Sequence, residues 1–245
     1  MLMQRIVILG ATSTMIQPLL RMMAKEGKEL LLVARSQERL DAVRADLLAR
    51  GAASVLTLEA DLTASPDLVY SFAEQCFPGF DTLLLSYGTM LDQTRCQVDG
   101  EYAVRELHTN FVSAVALLTL FAKHFESRHS GTIAVITSVA GERGRRSNYV
   151  YGAAKGGLSI FLQGLRSRMH GFGVRVLTIK PGPVRTAMTA GLHLPMIAST
   201  ESVSRDIYRA LEKSHREVIY TPRRWRPVMT VIRALPEQFF KRLSI

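Results

Sequence analysis

The sequence predicts an α/β fold in which a parallel sheet carries helices on both faces. Two observations predict it. Short apolar runs alternate with amphipathic stretches along the whole chain, and strand–helix alternation is the pattern of a parallel sheet built from crossover units. The runs are also rich in Val, Ile and Leu on both faces, as strands buried on both sides require. In order, residues 5–9 form the first strand and 15–26 the first helix. The strand at 30–34 and the helix at 37–50 follow, then 54–59 and 66–75. The strand at 82–86 leads to one long helix at 101–128. The strand at 132–137 precedes a helix at 149–170, and 174–179, 200–213 and 218–220 close the series as strand, helix and strand.

No repeat, low-complexity tract or Pro/Gly/Ser linker divides residues 1–221, which read as one domain. Residues 222–245 differ. Trp225, Val228, Met229, Val231, Ile232, Leu235, Phe239, Phe240 and Leu243 interleave with Arg223, Arg224, Arg226, Arg233, Lys241 and Arg242. This basic amphipathic tail, broken at Pro236, suits an anionic membrane surface; a dimerisation arm or a cap on the domain are the alternatives.

With 245 residues, 47% of them apolar, the chain can bury a sizeable core. Cys76 and Cys96 are too few for a disulfide framework or a zinc site, which points to a reducing, cytoplasmic setting and to no metal. The apolar run at 6–9 is too short for a signal peptide, and the longest, 111–122, is too short to span a bilayer. A net charge of +10 admits nucleic acid, anionic lipid or a phosphorylated ligand. The basic residues are dispersed and no nucleic-acid module is present, so nucleic acid is not expected.

The chemistry centres on Tyr151 and Lys155. Residues four apart share one helix face, and a neighbouring ammonium is expected to lower a phenol toward neutrality. Such a phenol gives or takes a proton during ketone and alcohol interconversion. Alone the pair is weak, since Tyr-x-x-x-Lys is common on surfaces. Other residues strengthen it. The first strand ends in Gly10, followed by Thr12, Ser13, Thr14 and Met15, a turn able to seat a pyrophosphate at a helix N-terminus. The second strand ends in Arg35 and Ser36, where an NAD site commonly has an acidic residue. An arginine there faces a 2′-phosphate, with Arg39 nearby, and favours NADP; a solvated arginine is the alternative. Asp61 and Leu62 fit an adenine-edge contact. Ser86 and Gly88 end the fourth strand, and Gly88 lets backbone approach a cofactor. Ser138 lies thirteen residues before Tyr151. Asn110 is a polar residue in an otherwise apolar helix, either satisfied locally or linking a water to Lys155. Pro181, Gly182, Val184 and Thr186 form a loop at the carboxyl edge of the sheet, where ligands bind.

Together these residues resemble the short-chain dehydrogenase/reductase family over residues 4–220. The resemblance implies a doubly wound Rossmann fold with a seven-stranded parallel sheet. It implies a nicotinamide cofactor, NADPH on the reading of Arg35, as partner to Gly10, Thr12, Ser13, Thr14, Met15, Arg35, Ser36, Asp61, Leu62, Ser86, Gly88, Tyr151, Lys155, Pro181, Gly182, Val184 and Thr186. It also implies a catalytic tetrad of Asn110, Ser138, Tyr151 and Lys155, and a homodimer or tetramer. Two departures stand out: Thr14 and Ile16 replace glycines of the family turn, and Ser86-Tyr87-Gly88 replaces Asn-Ala-Gly. The altered turns, the run from Ser138 to Arg145 and the basic tail are similar to the decaprenylphosphoryl-2-keto-erythro-pentose reductase branch. Arg143, Arg145 and Arg146 are then expected to bind phosphate, with residues 188–197 as an apolar lid over a lipid-linked ketosugar. A soluble or acyl-chain ketone is the alternative substrate. A sensor or scaffold that binds NADP without turnover is an alternative of another class.

Overall fold

The computed structural model describes residues 3–186, 189 and 196–243. Seven parallel strands stand in the order β3-β2-β1-β4-β5-β6-β7: β1 Arg5–Leu9, β2 Glu29–Ala34, β3 Ser54–Glu59, β4 Thr82–Leu85, β5 Thr132–Ile136, β6 Arg175–Pro181 and β7 Val218–Thr221. The chain winds outward from β1 to β3, then returns to β4 on the other side of β1. That reversal opens a crevice at the carboxyl ends of β1 and β4.

Alternate residues of each central strand feed two cores. Ile6, Ile8, Leu30 and Leu32 meet α1 (Gln17–Lys25), α2 (Gln37–Ala49) and α8 (Thr200–Lys213) through Leu19, Leu20, Leu40, Val203 and Ile207. Val7, Leu9, Leu31 and Val33 meet α3 (Pro66–Cys76), α6 (Ser113–Arg128) and α7 (Tyr149–His170) through Val69, Leu117, Phe121, Leu158 and Leu162. Each such side chain contributes about 1.5–3 kcal/mol, so the strand ends that carry the candidate residues rest on a rigid platform.

The long helix expected at 101–128 is three pieces. The helix α5 (Gly100–Leu107) passes through a π turn at His108–Val112 into α6. Asn110 lies in the π turn and is buried, and such bulges re-aim side chains without ending a helix. The first helix likewise opens with a 3-10 turn at Thr14–Ile16 before α1. A short α4, Gln93–Cys96, escaped the sequence reading; Asp92 caps it by accepting from the amides of Thr94 and Arg95.

Beyond β7 the tail forms α9 (Trp225–Ala234) and α10 (Glu237–Phe240). The inner face of α9 docks on its own chain: Trp225 and Met229 pack with Val139, flanked by Tyr220, Val228 and Ile232. Part of the apolar set expected to meet a membrane is therefore spent inside the protein, while Val231, Phe239 and Leu243 stay exposed. Among the described residues, no helix is long and apolar enough to cross a membrane.

Candidate active site

The turn after β1 runs with a single glycine because only one position requires it. Gly10 has φ +88°, and a Cβ there would lie 2.7 Å from Tyr87 Cβ and 2.8 Å from the Tyr87 amide. Backbone in that region favours glycine. Ile16 is fully buried in the core and Thr14 is exposed, so neither needs the close approach that a glycine would allow. Side chains brace the turn instead. Gln17 donates to the carbonyls of Ala11 and Ser13, at 2.7 and 3.1 Å, and Arg39 donates to Thr12 O at 2.9 Å. The amides of Gly10, Ala11 and Ser13 are spent on Val33 and Gly10 carbonyls. Those of Thr12, Thr14 and Met15 have no backbone acceptor among the described residues, and free amides where a helix begins are a donor set that fits a pyrophosphate.

Arg35 is exposed at the end of β2. Ser36 caps α2 by accepting from the Arg39 amide. Asp61 accepts from the amide and hydroxyl of Thr63 at 2.9 and 2.8 Å, and these bonds, with Arg35 nearby, hold its carboxyl below the usual range. Leu62 beside it is buried.

Ser86 is buried and its hydroxyl donates to Leu9 O and Gly10 O, each at 3.1 Å. It ties β4 to the glycine turn, which makes it a support for the site rather than a free ligand to it. Tyr87 hydrogen-bonds Ser113 at 2.7 Å. Gly88 is the close-approach position: a Cβ there would lie 2.7 Å from Asn110 Oδ1 and 3.2 Å from Lys155 Nζ. The structure thus brings Asn110 and Lys155 together behind Gly88. The Asn110 amide is held on one side by Thr89, whose backbone N–H donates to Oδ1 at 3.0 Å, and on the other by Nδ2 donating to Glu106 O at 3.1 Å.

Ser138 and Tyr151 meet because β5 continues into a 3-10 turn, Val139–Glu142, laid directly on α7. The seam is made of glycines. A Cβ on Gly141 would lie 2.5 Å from Lys155 C and from Gly156 N, and one on Gly156 would lie 2.9 Å from Gly141 O. Gly152 similarly faces Ala140 O. The α7 N-terminus is held by Gln93, which accepts from the Val150 amide at 3.1 Å.

The electrostatics correct one expectation. Burial pushes the Tyr151 phenol up to about 12, and the Ser138 hydroxyl partly offsets the rise. Lys155 does not lower it here: its ammonium stands 5.8 Å from the centre of the phenol ring, on the Asn110 side. Burial instead lowers Lys155 to about 8. The unfolded lysine titrates higher, so between pH 8 and about 10.4 the unfolded chain binds more protons and stability rises with pH. Below pH 8 the buried charge costs the fold its full penalty. Lys155→Met is therefore expected to be more stable than the parent at neutral pH, by about 3 kcal/mol. The gain should vanish above about pH 10.4, as urea unfolding at the two pH values would show.

The three loop arginines separate. Arg143 is occupied by the C-terminal tail: it donates to Ile232 O at 2.6 Å, pairs with Glu237 at 3.0 Å and stands 3.9 Å over the Phe240 ring. It is thus not free to bind phosphate as expected. Arg145 is partly buried, held below its ordinary range by desolvation, and Arg146 is exposed. Pro181 ends β6, and Gly182 follows it under Trp225. Val184 pairs with Ala198 as an isolated bridge, and Thr189 accepts from the Thr186 amide and donates to Val184 O. Of the expected lid, residues 188 and 190–195, Leu192, Leu194 and Pro195 among them, lie outside the described residues.

Sequence reading missed Gln17, Gln93 and Glu106, and took Trp225 only as part of the tail and Gly141 and Glu142 only as part of the run from Ser138 to Arg145. Gln93 and Trp225 act across long sequence separations, with no local pattern to mark those roles. The spacing of Gly152 and Gly156 on one face of α7 was the available sign of a close seam.

The family profile described as short chain dehydrogenase matches residues 4–195. The chain is 38% identical over 242 residues to an uncharacterized oxidoreductase of Mycobacterium tuberculosis, covering 97% of this chain and 96% of the relative. It is 31% identical over 242 residues to an uncharacterized oxidoreductase of Streptomyces coelicolor, covering 98% and 96%. Among solved structures, a short-chain dehydrogenase from Sphingobium yanoikuyae in complex with NADPH superposes with a TM-score of 0.80 at 23% identity, over 95% of this chain and 97% of that one. Levodione reductase does so with a TM-score of 0.80 at 20% identity, over 89% and 95%.

Proposed function

This chain belongs to the short chain dehydrogenase family and is an NAD(P)-dependent oxidoreductase; from that premise we propose that it uses NADPH to reduce a carbonyl to a secondary alcohol. The observation that carries the reading is the convergence of Ser138 and Tyr151 across the glycine seam, with Lys155 and Asn110 together behind Gly88. Ser138 and Tyr151 hold the carbonyl oxygen, and Tyr151 gives it a proton. The nicotinamide, when bound, supplies the hydride. Lys155, beside Asn110 behind Gly88, reaches toward the nicotinamide ribose, and Asn110 holds the water path that returns the proton to Tyr151. A phenol held at about 12 is protonated at neutral pH, and so carries the proton that carbonyl reduction consumes.

The turn amides of Thr12, Thr14 and Met15 would take the pyrophosphate, Asp61 and Leu62 the adenine, and Pro181, Gly182, Val184 and Thr186 the nicotinamide side. Arg35, exposed beside Ser36, would take the 2′-phosphate. Arg35→Glu is expected to weaken NADPH binding by roughly tenfold or more while sparing NADH. Paired fluorescence titrations decide it, and an unchanged NADPH preference would remove Arg35 from the site.

Arg145 supports an anionic substrate. It is partly desolvated, and no carboxylate pairs with it among the described residues. A phosphorylated or polyprenyl-phosphate-linked ketosugar would satisfy it. Higher kcat/KM for neutral ketones than for ketosugar phosphates would favour the soluble-ketone alternative. The tail's outer face leaves Val231, Phe239 and Leu243 exposed among basic residues, which supports contact with anionic lipid. Failure to float with anionic liposomes would sink that part. A homodimer or tetramer goes with the family reading, and light scattering measures it.

A further inference from the structure

The C-terminal tail grips the segment that carries Ser138. This segment, residues 138–143, is pinned on two sides. Inward, the Glu142 carboxylate is 3% exposed. It accepts from Lys180 of β6 at 2.7 Å and from the Tyr220 hydroxyl of β7, and Arg233 of α9 stands 3.7 Å from its other oxygen. Outward, Arg143 reaches the end of α9. Its guanidinium donates to Ile232 O at 2.6 Å, to Arg233 O at 3.3 Å and to Leu235 O, and pairs with Glu237 at 3.0 Å. The last carbonyls of a helix have no partner within it, and a cation at that end also complements the helix dipole. One planar fork thus caps α9 from the loop, which a lysine cannot reproduce.

The opposite end of α9 rests on the other wall of the crevice. Trp225 is buried, and a Cβ on Gly182 would lie 1.9 Å from its Nε1. Thr221 O accepts from the Gly182 amide at 3.0 Å. Ten residues of helix, about 15 Å long, therefore span from the turn after β6 to the segment after β5. Val139, at the start of that segment, packs on Trp225 and Met229.

We propose that α9 and α10 form a brace that holds residues 138–143 against α7, with Arg143 as its positioning residue, so that Ser138 stays in register with Tyr151. The proposal rests on the reading of Ser138 and Tyr151 as the reaction centre. Full-length Arg143→Ala and Arg143→Lys test it, with hydrogen exchange as the primary readout because it needs no substrate. Exchange at the Ala140 and Gly141 amides should rise at least about tenfold in both variants. Exchange in α9 should rise with it, while β1 and β5 keep their protection. On a ketone that the parent enzyme reduces, kcat should fall with KM for NADPH nearly unchanged. Trp225, the one tryptophan of the chain, should report the loosened contact as a fluorescence shift. Faster exchange confined to α9 and α10, with Ala140 and Gly141 protected, would overturn the brace. Should Arg143→Ala lose protection throughout, Phe240→Leu, which removes only the ring beneath the guanidinium, is read by the same local exchange. A failed brace leaves the role of Tyr151 untouched, and a Tyr151→Phe variant with parental turnover would overturn that role while leaving the exchange result standing.

Discussion

Tyr151→Phe is expected to cut turnover by about 10²–10⁴-fold while leaving NADPH affinity within a factor of a few. The phenol is the one group poised to give a proton in the site as we read it. It is buried, raised to about 12 and partnered by Ser138. Phenylalanine keeps the ring that packs beside Val150 and Leu91 and removes the hydroxyl with its Ser138 hydrogen bond. The loss should therefore fall on kcat, with the thermal midpoint little changed. Steady-state kinetics beside NADPH fluorescence titration separates these effects. Near-parental turnover on a genuine ketone would remove Tyr151 from the reaction, and the Ser138 and Lys155 assignments would go with it. Loss of NADPH binding as well would mean that the substitution disturbed the pocket rather than the proton.

Gly141→Ala is expected to damage the fold and the site together. Its Cβ would stand 2.5 Å from the backbone of Lys155 and Gly156, and those atoms belong to a helix that cannot yield locally. Such overpacking costs about 1–3 kcal/mol. The relaxation open to the chain is for the turn at Val139–Glu142 to lift from α7, which draws Ser138 away from Tyr151. Stability and kcat should fall together, whereas Gly144→Ala, where a Cβ meets nothing within 4 Å, should leave both unchanged. Urea unfolding and kcat/KM on the three proteins provide the check. A Gly141→Ala enzyme with parental kcat would show that the seam is packing alone.

These two residues mark where sequence reading succeeds and where it stops. Tyr151 was legible because its relation to Lys155 is local: a four-residue spacing on one helix face survives whatever surrounds it. Gly141 was not, because its requirement comes from the α7 backbone pressed against it. The same division explains the glycine turn. From sequence, Thr14 and Ile16 look like defects beside a three-glycine turn. In the fold Ile16 fills the core, and Tyr87, just beyond β4, makes Gly10 the position that needs glycine.

Charge shows the division most clearly. Arg143, Arg145 and Arg146 look alike as a basic run, and a phosphate seems the natural partner for all three. The fold assigns Arg143 to the carbonyls at the end of α9, nearly ninety residues later in the chain. It also turns the Tyr151–Lys155 pair away from the simple expectation. Burial moves both groups toward their neutral forms, and the ammonium stands with Asn110 rather than at the phenol.

By itself the sequence determined the alternation of strands and helices, the parallel sheet, and the residue types that carry the candidate chemistry. Periodicity and short-range spacing encode these, and neither depends on distant parts of the chain. Only the tertiary structure decided the π turn that aims Asn110, the seam that joins Ser138 to Tyr151 and the docking of the tail on the segment after β5. Each arises where backbones far apart in sequence come within contact distance, and the energy that selects the arrangement exists only once the sheet has brought them there.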